Sequence, residues 1–380
     1  MFFEHLYHTA NLITWITSLA LILSLVVQLI YYLGIYSKVA GYRNPDIPEK
    51  MIPVSVIICA RNEARNLERN LPAFLTQNHP DYQVIVVNDC STDNTDEVLM
   101  DMKVKYPHLY VTTIQKDRKF IHGKKLAVTV GIKAARNEHL LFSDADCYPV
   151  SDQWITRMSR HFSDETELIL GVGKYETKRG LLNLIVRYET LFTAIQYLSF
   201  ARIGKAYMGV GRNMGYLKQL FYRHKGFAGH LRVLSGDDDL FVNEATTPTN
   251  TQVELSPESF TISAAPETFG EWFRQKKRHL STSRYYNTSS KFRLGLDYIT
   301  RLLFYSSAII LLFDEHWKWI AAAAWILLSI CRLVIIKLSM KRLNERDLLL
   351  PSLLLDPLIP IILVFIRIAN IIRPREPKWN

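Results

Sequence analysis

Apolar and polar residues divide the chain into three almost uniformly apolar stretches and a mixed central region. The apolar stretches lie near residues 12–36, 299–340 and 348–372. The first carries no charged residue and is long enough to cross a bilayer core of about 30 Å. Because it lacks a basic leading segment and a small-residue cleavage site, we expect an uncleaved membrane anchor.

The two later apolar stretches predict different arrangements. Residues 298–313 and 317–338 predict a helical hairpin with a short polar tip. The last stretch contains Pro351, Pro357 and Pro360, and prolines disfavour a straight helix because they lack a backbone N–H. The basic tail "IIRPREPK" follows it. The sequence therefore leaves two possibilities for this stretch, a third apolar segment that spans the membrane or one that re-enters it.

Short runs rich in β-branched residues alternate with helical patterns in the central region. The strand-like stretches are "VSVIICARNE" (54–63), "YQVIVVNDCSTDNT" (82–95), "LYVTTI" (109–114) and "HLLFSDADC" (139–147). The segments between them carry apolar residues at helical spacing. This alternation predicts an α/β fold with an open, mostly parallel sheet and helices on both faces. In such a sheet, ligands bind outside the carboxyl ends of the strands.

These patterns, together with the charge, predict the organisation and location of the chain. The predicted parts are a membrane anchor with its linker at 1–50, an α/β domain at 51–265, an amphipathic interface segment at 266–297 and a C-terminal apolar region at 298–380. The formal net charge is +10, and basic residues concentrate beside the apolar stretches. This distribution favours a domain on the cytoplasmic face of the inner cell membrane and argues against a nucleic-acid-binding protein. No pattern specifies an oligomeric state.

Polar residues at the ends of the predicted strands supply the candidate chemistry. Glu63 follows the first strand, Asp89 ends the second, and Asp144 and Asp146 form a D-x-D after the fourth. Mg²⁺ and Mn²⁺ take carboxylate oxygens and share them with substrate phosphates, so the D-x-D predicts a metal site rather than a solvated turn. Lys124 opens the preceding helix and could neutralise phosphate. The chain has no glycine-rich dinucleotide motif and no P-loop motif, which argues against both ligand classes.

Four motifs in order make the stretch from about residue 53 to residue 280 resemble glycosyltransferase family 2. The motifs are "VSVIICARNEARNL", "VIVVNDCSTDNT", "GKKLAVTVGIKAA" and "FSDADCYP". The resemblance implies a nucleotide-sugar-binding fold of the Rossmann-like glycosyltransferase A type. It also implies an inverting, metal-dependent transfer of sugar from a donor that we expect to be UDP-linked.

The resemblance implies roles for the residues that bind the donor. Ala60, Glu63 and Asp89 would contact the nucleoside, although Asn88 stands where the family has the first Asp of a pair. Lys124 would approach the diphosphate.

The D-x-D and one later segment complete the implied donor site. Asp144 would support the nucleotide, and Asp146 would coordinate the Mg²⁺ or Mn²⁺ that bridges the two phosphates. The segment "EWFRQKKRHLS" (271–281) resembles the family's Q-x-x-R-W motif, in which Gln275 and Arg278 would cover the donor diphosphate. The same residues also have the pattern of a basic amphipathic helix at a membrane surface, and the two interpretations are compatible.

Two further segments would bind and activate the acceptor. "LSGDDDLF" (234–241) resembles the family's segment that supplies the general base, which is Asp237 or Asp238 depending on the alignment, with Asp237 narrowly favoured. The alternative is an acidic helix N-terminus. In "GVGRNMGYLKQLF" (209–221), Gly211 and Asn213 would line the acceptor pocket. His279 would also face the acceptor, where the family has Trp.

The sequence thus predicts a membrane-bound enzyme that transfers a sugar from a UDP-sugar to the hydroxyl of a lipid or lipid-linked acceptor. The replacement of Trp by His279 and the small number of apolar helices argue against a polysaccharide channel in one chain. Two alternatives remain at this stage. One is a processive synthase that acts as an oligomer or with partners, and the other is a catalytically silent nucleotide-sugar-binding scaffold.

Overall fold

The computed structural model describes residues 12–115, 123–231, 233 and 235–372. Its strands are β1 (Val54–Ala60), β2 (Tyr82–Asp89), β3 (Leu109–Ile114), β4 (His139–Asp144), β5 (Cys147–Pro149), β6 (Leu168–Leu170), β7 (Gly173–Tyr175), β8 (Met214–Leu217), β9 (Thr251–Val253) and β10 (Thr261–Ser263). The helices of the central region are α2 (Ala64–Leu75), α3 (Thr95–Lys105), α4 (Lys124–Ala134), α5 (Trp154–Ser159), α6 (Leu181–Arg202), α7 (Lys218–Arg223), α8 (Asp239–Ala245) and α9 (Phe269–Thr282). Four long apolar helices are α1 (Leu12–Ala40), α10 (Thr288–Leu311), α11 (Lys318–Arg342) and α12 (Leu349–Ile372).

The central region forms a mixed, mostly parallel sheet in the order β3-β2-β1-β4-β8-β6-β9. Strands β3, β2, β1 and β4 run parallel, whereas β8 runs antiparallel to both β4 and β6. A second sheet in the order β5-β10-β7 begins directly after the D-x-D. The predicted α/β fold is therefore confirmed, with an antiparallel strand and a small second sheet added to it.

The inner parallel strands β1, β2 and β4 are almost wholly buried because helices cover both faces of the sheet, whereas the edge strand β3 is partly exposed. Every residue of β1 is buried, as its run of β-branched residues predicts. Gly131 of α4 lies directly on the sheet, and a Cβ at this position would come within 2.6 Å of Ile57. Glycine therefore lets α4 pack closely against the strands, which places Lys124, at the start of that helix, beside their carboxyl ends.

Four helices in the described part of the chain are long and apolar enough to cross a membrane. All four expose large apolar side chains, as lipid-facing helices do. The predicted hairpin corresponds to α10 and α11. Helix α10 begins ten residues earlier than predicted because the Asn287 side chain caps it by accepting a hydrogen bond from the backbone N–H of Ser290, 2.8 Å away.

The last apolar stretch forms one continuous helix, α12, with Pro357 and Pro360 inside it. The prolines, which predict a poor straight helix, do not interrupt the helix between Leu349 and Ile372. Pro351 lies in the first turn, where no backbone N–H is needed. The basic tail beyond residue 372 lies outside the described residues.

Candidate active site

The carboxyl ends of β1, β2 and β4 lie side by side and bring the predicted donor residues to one edge of the sheet. Cys59 pairs with Asp144, and Ala60 pairs with Asn88. Ala60 and Asp89 are buried at the ends of their strands. The chain turns sharply after both strands, since Asn62 and Cys90 have positive φ values of 56°.

Glu63 lies at the carboxyl edge of the sheet, near the D-x-D. Its backbone N–H donates to the Thr95 hydroxyl at 3.1 Å, and its carboxylate accepts from the Asn66 amide at 2.5 Å. Burial raises the pKa of Glu63 to about 7, and the charges of Asp146 and Asp144 add to the rise. These interactions show that Glu63 lies near the D-x-D.

Lys124 lies at the centre of the site and joins two of its parts. Its ammonium is 2.7 Å from Asp144 Oδ1 and 3.1 Å from Asp237 Oδ2. Burial opposes ionisation of the Asp144 carboxyl, but the Lys124 ammonium outweighs it and lowers the Asp144 pKa. One cation thus connects the D-x-D with the predicted base segment.

The D-x-D has the donor atoms that a hard divalent cation requires. One ligand atom from each of Asp144, Asp146 and Cys147 lies within 4.8 Å of the others. Burial raises the pKa of Cys147 and the two carboxylates add to the rise, so this residue stays a thiol, and it donates to Asp146 Oδ1 at 3.3 Å. Burial raises the pKa of Asp146, and repulsion from Asp144 raises it further. Two mutually repelling carboxylates fit Mg²⁺ or Mn²⁺, which prefer oxygen ligands.

The three consecutive aspartates 237–239 have different surroundings. Asp237 faces Lys124. Asp238 accepts from the backbone N–H groups of Gly211 and Asp239, each at 2.8 Å, and caps α8. Burial raises the pKa of Asp238 to about 7, and the charges of Asp237 and Asp239 contribute. Asp239 is buried and accepts from the hydroxyl of Thr282, the last residue of α9, and from that of Tyr286, beyond the end of the helix.

Of the two residues predicted to line an acceptor pocket, the structure brings only one to the site. Gly211 lines a cavity together with Lys124, Asp237 and Asp238. Asn213 is fully buried, and the prediction that it contacts an acceptor was wrong.

The side chain of Asn213 makes its hydrogen bonds within the core, and both of its N–H donors are used there. Its amide nitrogen donates to the carbonyls of Val172 and Ser259, each at 2.8 Å, and its amide oxygen accepts from the Trp154 indole at 3.0 Å. The residue therefore holds the core together where β8 begins.

Helix α9 carries the predicted Q-x-x-R segment against the small sheet. The Gln275 amide donates to the Tyr175 hydroxyl at 2.9 Å. The charge of Arg278 contributes to the low pKa of Asp144, which places it close to the D-x-D. His279 is exposed beside Arg278. A role for His279 in acceptor binding stays a prediction.

Two residues of the site were missed by the sequence reasoning. Arg212 lies between Gly211 and Asn213, and its guanidinium stacks on the Tyr175 ring at 4.5 Å from the centroid. Lys125 donates to the carbonyls of His230 and Val233, each at 2.7 Å, and so holds the segment that leads to Asp237. Arg212 lies in "GVGRNMGYLKQLF" and Lys125 lies in "GKKLAVTVGIKAA". The family patterns give no role to either position.

The described chain is similar in fold to a solved enzyme. The mannosyltransferase PcManGT from Pyrobaculum calidifontis, solved in complex with GDP-Man and Mn²⁺, matches it with a TM-score of 0.56 at 16% sequence identity. The similarity covers 88% of this chain and 100% of that chain. It shows that the architecture is of the glycosyltransferase A type.

A family profile matches part of the central domain. The sequence profile described as Glycosyl transferase family 2 matches residues 55–224. Residues 55–224 therefore form a glycosyltransferase family 2 domain, which confirms the resemblance carried by the four motifs.

The curated relatives include polysaccharide synthases. A poly-beta-1,6-N-acetyl-D-glucosamine synthase from Staphylococcus epidermidis is 22% identical over 292 residues, covering 74% of this chain and 64% of the relative. The probable glycosyltransferase YdaM from Bacillus subtilis is 25% identical over 284 residues, covering 68% of this chain and 64% of the relative. A second Staphylococcus epidermidis synthase is matched over 53% of its length. The chain thus spans about half to two thirds of the length of these three relatives.

Proposed function

We propose that this protein is an inverting, metal-dependent glycosyltransferase that transfers a sugar from a UDP-sugar to the hydroxyl of a lipid or lipid-linked acceptor. One observation carries the proposal, the ammonium of Lys124 shared by Asp144 of the D-x-D and Asp237 of the base segment. This contact brings the groups for donor binding and acceptor activation into one site, as a single displacement at the anomeric carbon requires.

The donor would bind at the carboxyl edge of the sheet. Ala60, Glu63 and Asp89 would contact the nucleoside. Asp146, supported by Asp144, would hold the metal, which when bound supplies Lewis-acid stabilisation of the leaving diphosphate. The PcManGT structure was solved with both a nucleotide sugar and Mn²⁺, which supports this type of donor.

Basic side chains of this chain would bind the diphosphate itself. Lys124 lies at the D-x-D, and Arg278 approaches it from α9 with Gln275 beside it. Cations fixed before the reaction stabilise charge that develops on a leaving group without reorganisation.

We favour Asp238 over Asp237 as the general base. The Asp237 carboxylate is already engaged in an ion pair with the Lys124 ammonium, 3.1 Å away. The pKa of Asp238 is raised to about 7, which suits proton transfer near neutral pH. Asp238 also lies at the cavity that Gly211 lines, where an acceptor hydroxyl could enter.

The acceptor would arrive from the membrane. Four helices are long enough to cross a bilayer, and two of them, α1 and α12, pack against α6 of the domain. Helix α9 also lies beside α12. We place the protein in the inner cell membrane with the catalytic domain on the cytoplasmic face. The second candidate is a processive synthase, which the poly-N-acetylglucosamine synthases among the relatives support. It would need an oligomer or partners, since a polymer crosses a membrane only through a protein channel.

A UDP-release assay tests the proposal. Purified protein in detergent would be supplied with Mn²⁺, a panel of UDP-sugars and a lipid extract, with Asp146→Asn as the variant. We expect UDP release from one sugar donor that EDTA and Asp146→Asn both abolish. Absence of metal-dependent UDP binding in the wild-type protein would overturn the proposal. The size of the labelled product separates single transfer from polymer synthesis.

A further inference from the structure

Arg212 is held rigidly at the edge of the active site. Its carbonyl accepts hydrogen bonds from the hydroxyls of Ser143 at 3.1 Å and Thr261 at 3.0 Å. Its guanidinium donates to Ser263 Oγ at 3.1 Å and to the Gly173 carbonyl at 2.9 Å. A guanidinium fixed by so many contacts loses little side-chain entropy when it binds a ligand.

The surrounding sheet is built to accommodate this side chain. A Cβ on Gly173 would lie 2.2 Å from Arg212 Nε, so only glycine leaves room for the guanidinium. The next residue but one, Tyr175, stacks under it and accepts a hydrogen bond from Gln275 of α9. Arg212 thus contacts the same aromatic ring that holds the Q-x-x-R helix.

The position of Arg212 is next to the D-x-D. Ser263, its hydrogen-bond partner, pairs directly with Cys147, the residue after Asp146. Its positive charge also counteracts the rise in the pKa of Asp146 and contributes to the low pKa of Asp144. On its other side, Gly211 bonds to Asp238.

Arg212 differs from Lys124 in having no carboxylate within ion-pair distance in the part of the chain that the structure describes. The charge of Lys124 is offset by Asp144 and Asp237. Within the described residues, Arg212 makes no ion pair, and its hydrogen-bond acceptors are neutral oxygens. A fixed cation without a carboxylate partner, beside a site that holds carboxylates for a metal, is arranged to receive an anion from outside the chain.

We propose that Arg212 binds the diphosphate of the nucleotide-sugar donor, as a second guanidinium beside Arg278. The inference rests on the proposed function and extends it to a residue outside the motif residues of the donor site. The planar guanidinium can make paired hydrogen bonds to phosphate oxygens, whereas a lysine at this position would act as a point charge.

Calorimetric titration of uridine and UDP in the presence of Mn²⁺ tests this role. The variants are Arg212→Gln, Arg212→Lys and, as the matched control, Arg223→Gln, which removes an exposed arginine paired with Glu167. We expect Arg212→Gln to weaken UDP binding about 10- to 100-fold, the usual effect of losing a hydrogen bond between charged groups. Uridine affinity should stay at the wild-type value in all variants. Arg212→Lys should recover only part of the UDP affinity, and Arg223→Gln should match the wild type.

The outcomes separate this inference from the proposed function and from a purely structural role. A wild-type protein that binds no UDP overturns the proposed function itself. Wild-type UDP affinity in Arg212→Gln overturns the inference alone, and if transfer to a phosphorylated lipid is then lost, Arg212 binds the acceptor phosphate instead. Equal losses for uridine and UDP, together with a lower melting temperature, would show a structural clamp and also overturn it. If Arg212→Gln does not fold, the UDP affinity of Arg212→Lys tests the inference. A wild-type UDP affinity in Arg212→Lys would then contradict it.

Discussion

At the scale of single residues, three identical side chains in a row acquire three different properties from their partners. Asp237 shares Lys124 with the D-x-D, Asp238 caps α8, and Asp239 is bonded to the Tyr286 hydroxyl at 2.7 Å. Only Asp238 combines a place at the cavity with a pKa raised to about 7. The sequence pattern allows either Asp237 or Asp238 as the base because spacing alone does not reveal hydrogen-bond partners.

The first prediction concerns the pH dependence of transfer. A general base must be deprotonated to act, so the fraction of active enzyme should rise as the pH increases through about 7, the pKa of Asp238. We expect kcat/KM to fall about tenfold for each pH unit below that value and to level off above it. The measurement is a pH–rate profile at saturating Mn²⁺. A flat profile between pH 6 and 8 would contradict the assignment, and Asp238→Asn and Asp237→Asn serve as the paired variants.

The second prediction concerns stability and the buried carboxylate of Glu254. It accepts from Arg160 at 2.8 Å and 3.0 Å and from His161 at 2.8 Å. Burial acts to raise its pKa, but the His161 contact and the Ser256 donors prevail and lower it to about 2. A lowered pKa stabilises the fold above the ordinary value near 4.5, and this contribution is lost as the pH falls towards 2.

Glu254→Gln should therefore destabilise the protein at pH 7 by about 3 kcal/mol and reduce the loss of stability between pH 5 and 3. Thermal unfolding in detergent at several pH values measures both effects. The control is Glu258→Gln, which changes an exposed carboxylate four residues away. Equal melting temperatures for the two variants at pH 7 would count against this account.

The neighbours Arg212 and Asn213 show the limit of motif reasoning at this scale. The motif pattern draws attention to Gly211 and Asn213, yet the chain turns Asn213 into the core and leaves Arg212 at the site. Both residues lie in the turn before β8, where no strand alternation assigns one side chain to the site and the other to the core. That choice depends on strand order, which places β8 next to β4.

At the scale of elements, α9 is fixed on several sides over the active site. Lys276 forms an ion pair with Glu189 of α6, and Gln275 bonds to Tyr175. On the membrane side, the Lys277 ammonium donates to the Ala369 carbonyl at 3.3 Å. This helix therefore connects the site to both the domain and the last apolar helix.

The third prediction concerns the Lys276–Glu189 pair, whose side chains are each only 11% exposed. Removing one partner of a buried pair leaves an uncompensated charge and typically costs about 3–5 kcal/mol. Lys276→Met should thus lower the melting temperature markedly. The double variant Lys276→Met with Glu189→Leu should be more stable than the single variant, because no isolated charge remains. A double variant less stable than Lys276→Met would contradict the buried pair.

Most of the helices and strands could be predicted from the sequence, because the spacing of apolar residues follows which face of each element is buried. The four parallel strands and the helical hairpin follow from runs of apolar residues. The continuity of α12 through Pro357 and Pro360 could not be predicted, since it depends on packing. Helix α12 packs against α9, α10 and α11, and these contacts outweigh the cost of the missing backbone N–H groups.

At the scale of the whole molecule, a buried polar network joins the apolar helices to the catalytic domain. Asp356 of α12 pairs with Arg332 of α11 at 2.6 Å and with Arg301 of α10 at 3.3 Å. Arg301 also pairs with Asp297 at 3.0 Å. The Tyr188 hydroxyl, on α6 of the domain, donates to Asp356 at 3.2 Å. The two acids and two arginines balance in charge, which lets them lie among apolar helices.

The fourth prediction concerns this network. Asp356→Asn keeps the shape of the side chain but removes the charge shared by Arg301 and Arg332. We expect a lower melting temperature and a lower folded yield in detergent, with a decrease in stability of roughly 3 kcal/mol or more. The control is Glu315→Gln, which lies exposed between α10 and α11. Unchanged stability in Asp356→Asn would show that the network does not hold the helices together.

The sequence could not predict this network because its members are far apart along the chain. Asp356, Arg301 and Arg332 each lie inside an otherwise apolar stretch of the sequence. A span containing a charge predicts that a partner exists but does not identify it. The identity of the partner follows only from the helix packing.

The most direct test of the central claim is transfer of labelled sugar from UDP-sugars into a lipid fraction by the purified wild-type protein and by Asp238→Asn. We expect Mn²⁺-dependent labelling of the lipid fraction by the wild type. Asp238→Asn should bind UDP with wild-type affinity and transfer at least about 100-fold more slowly, because only the base is removed. Wild-type transfer by Asp238→Asn, or UDP binding by the wild type without any transfer in the presence of acceptor lipid, would contradict the account.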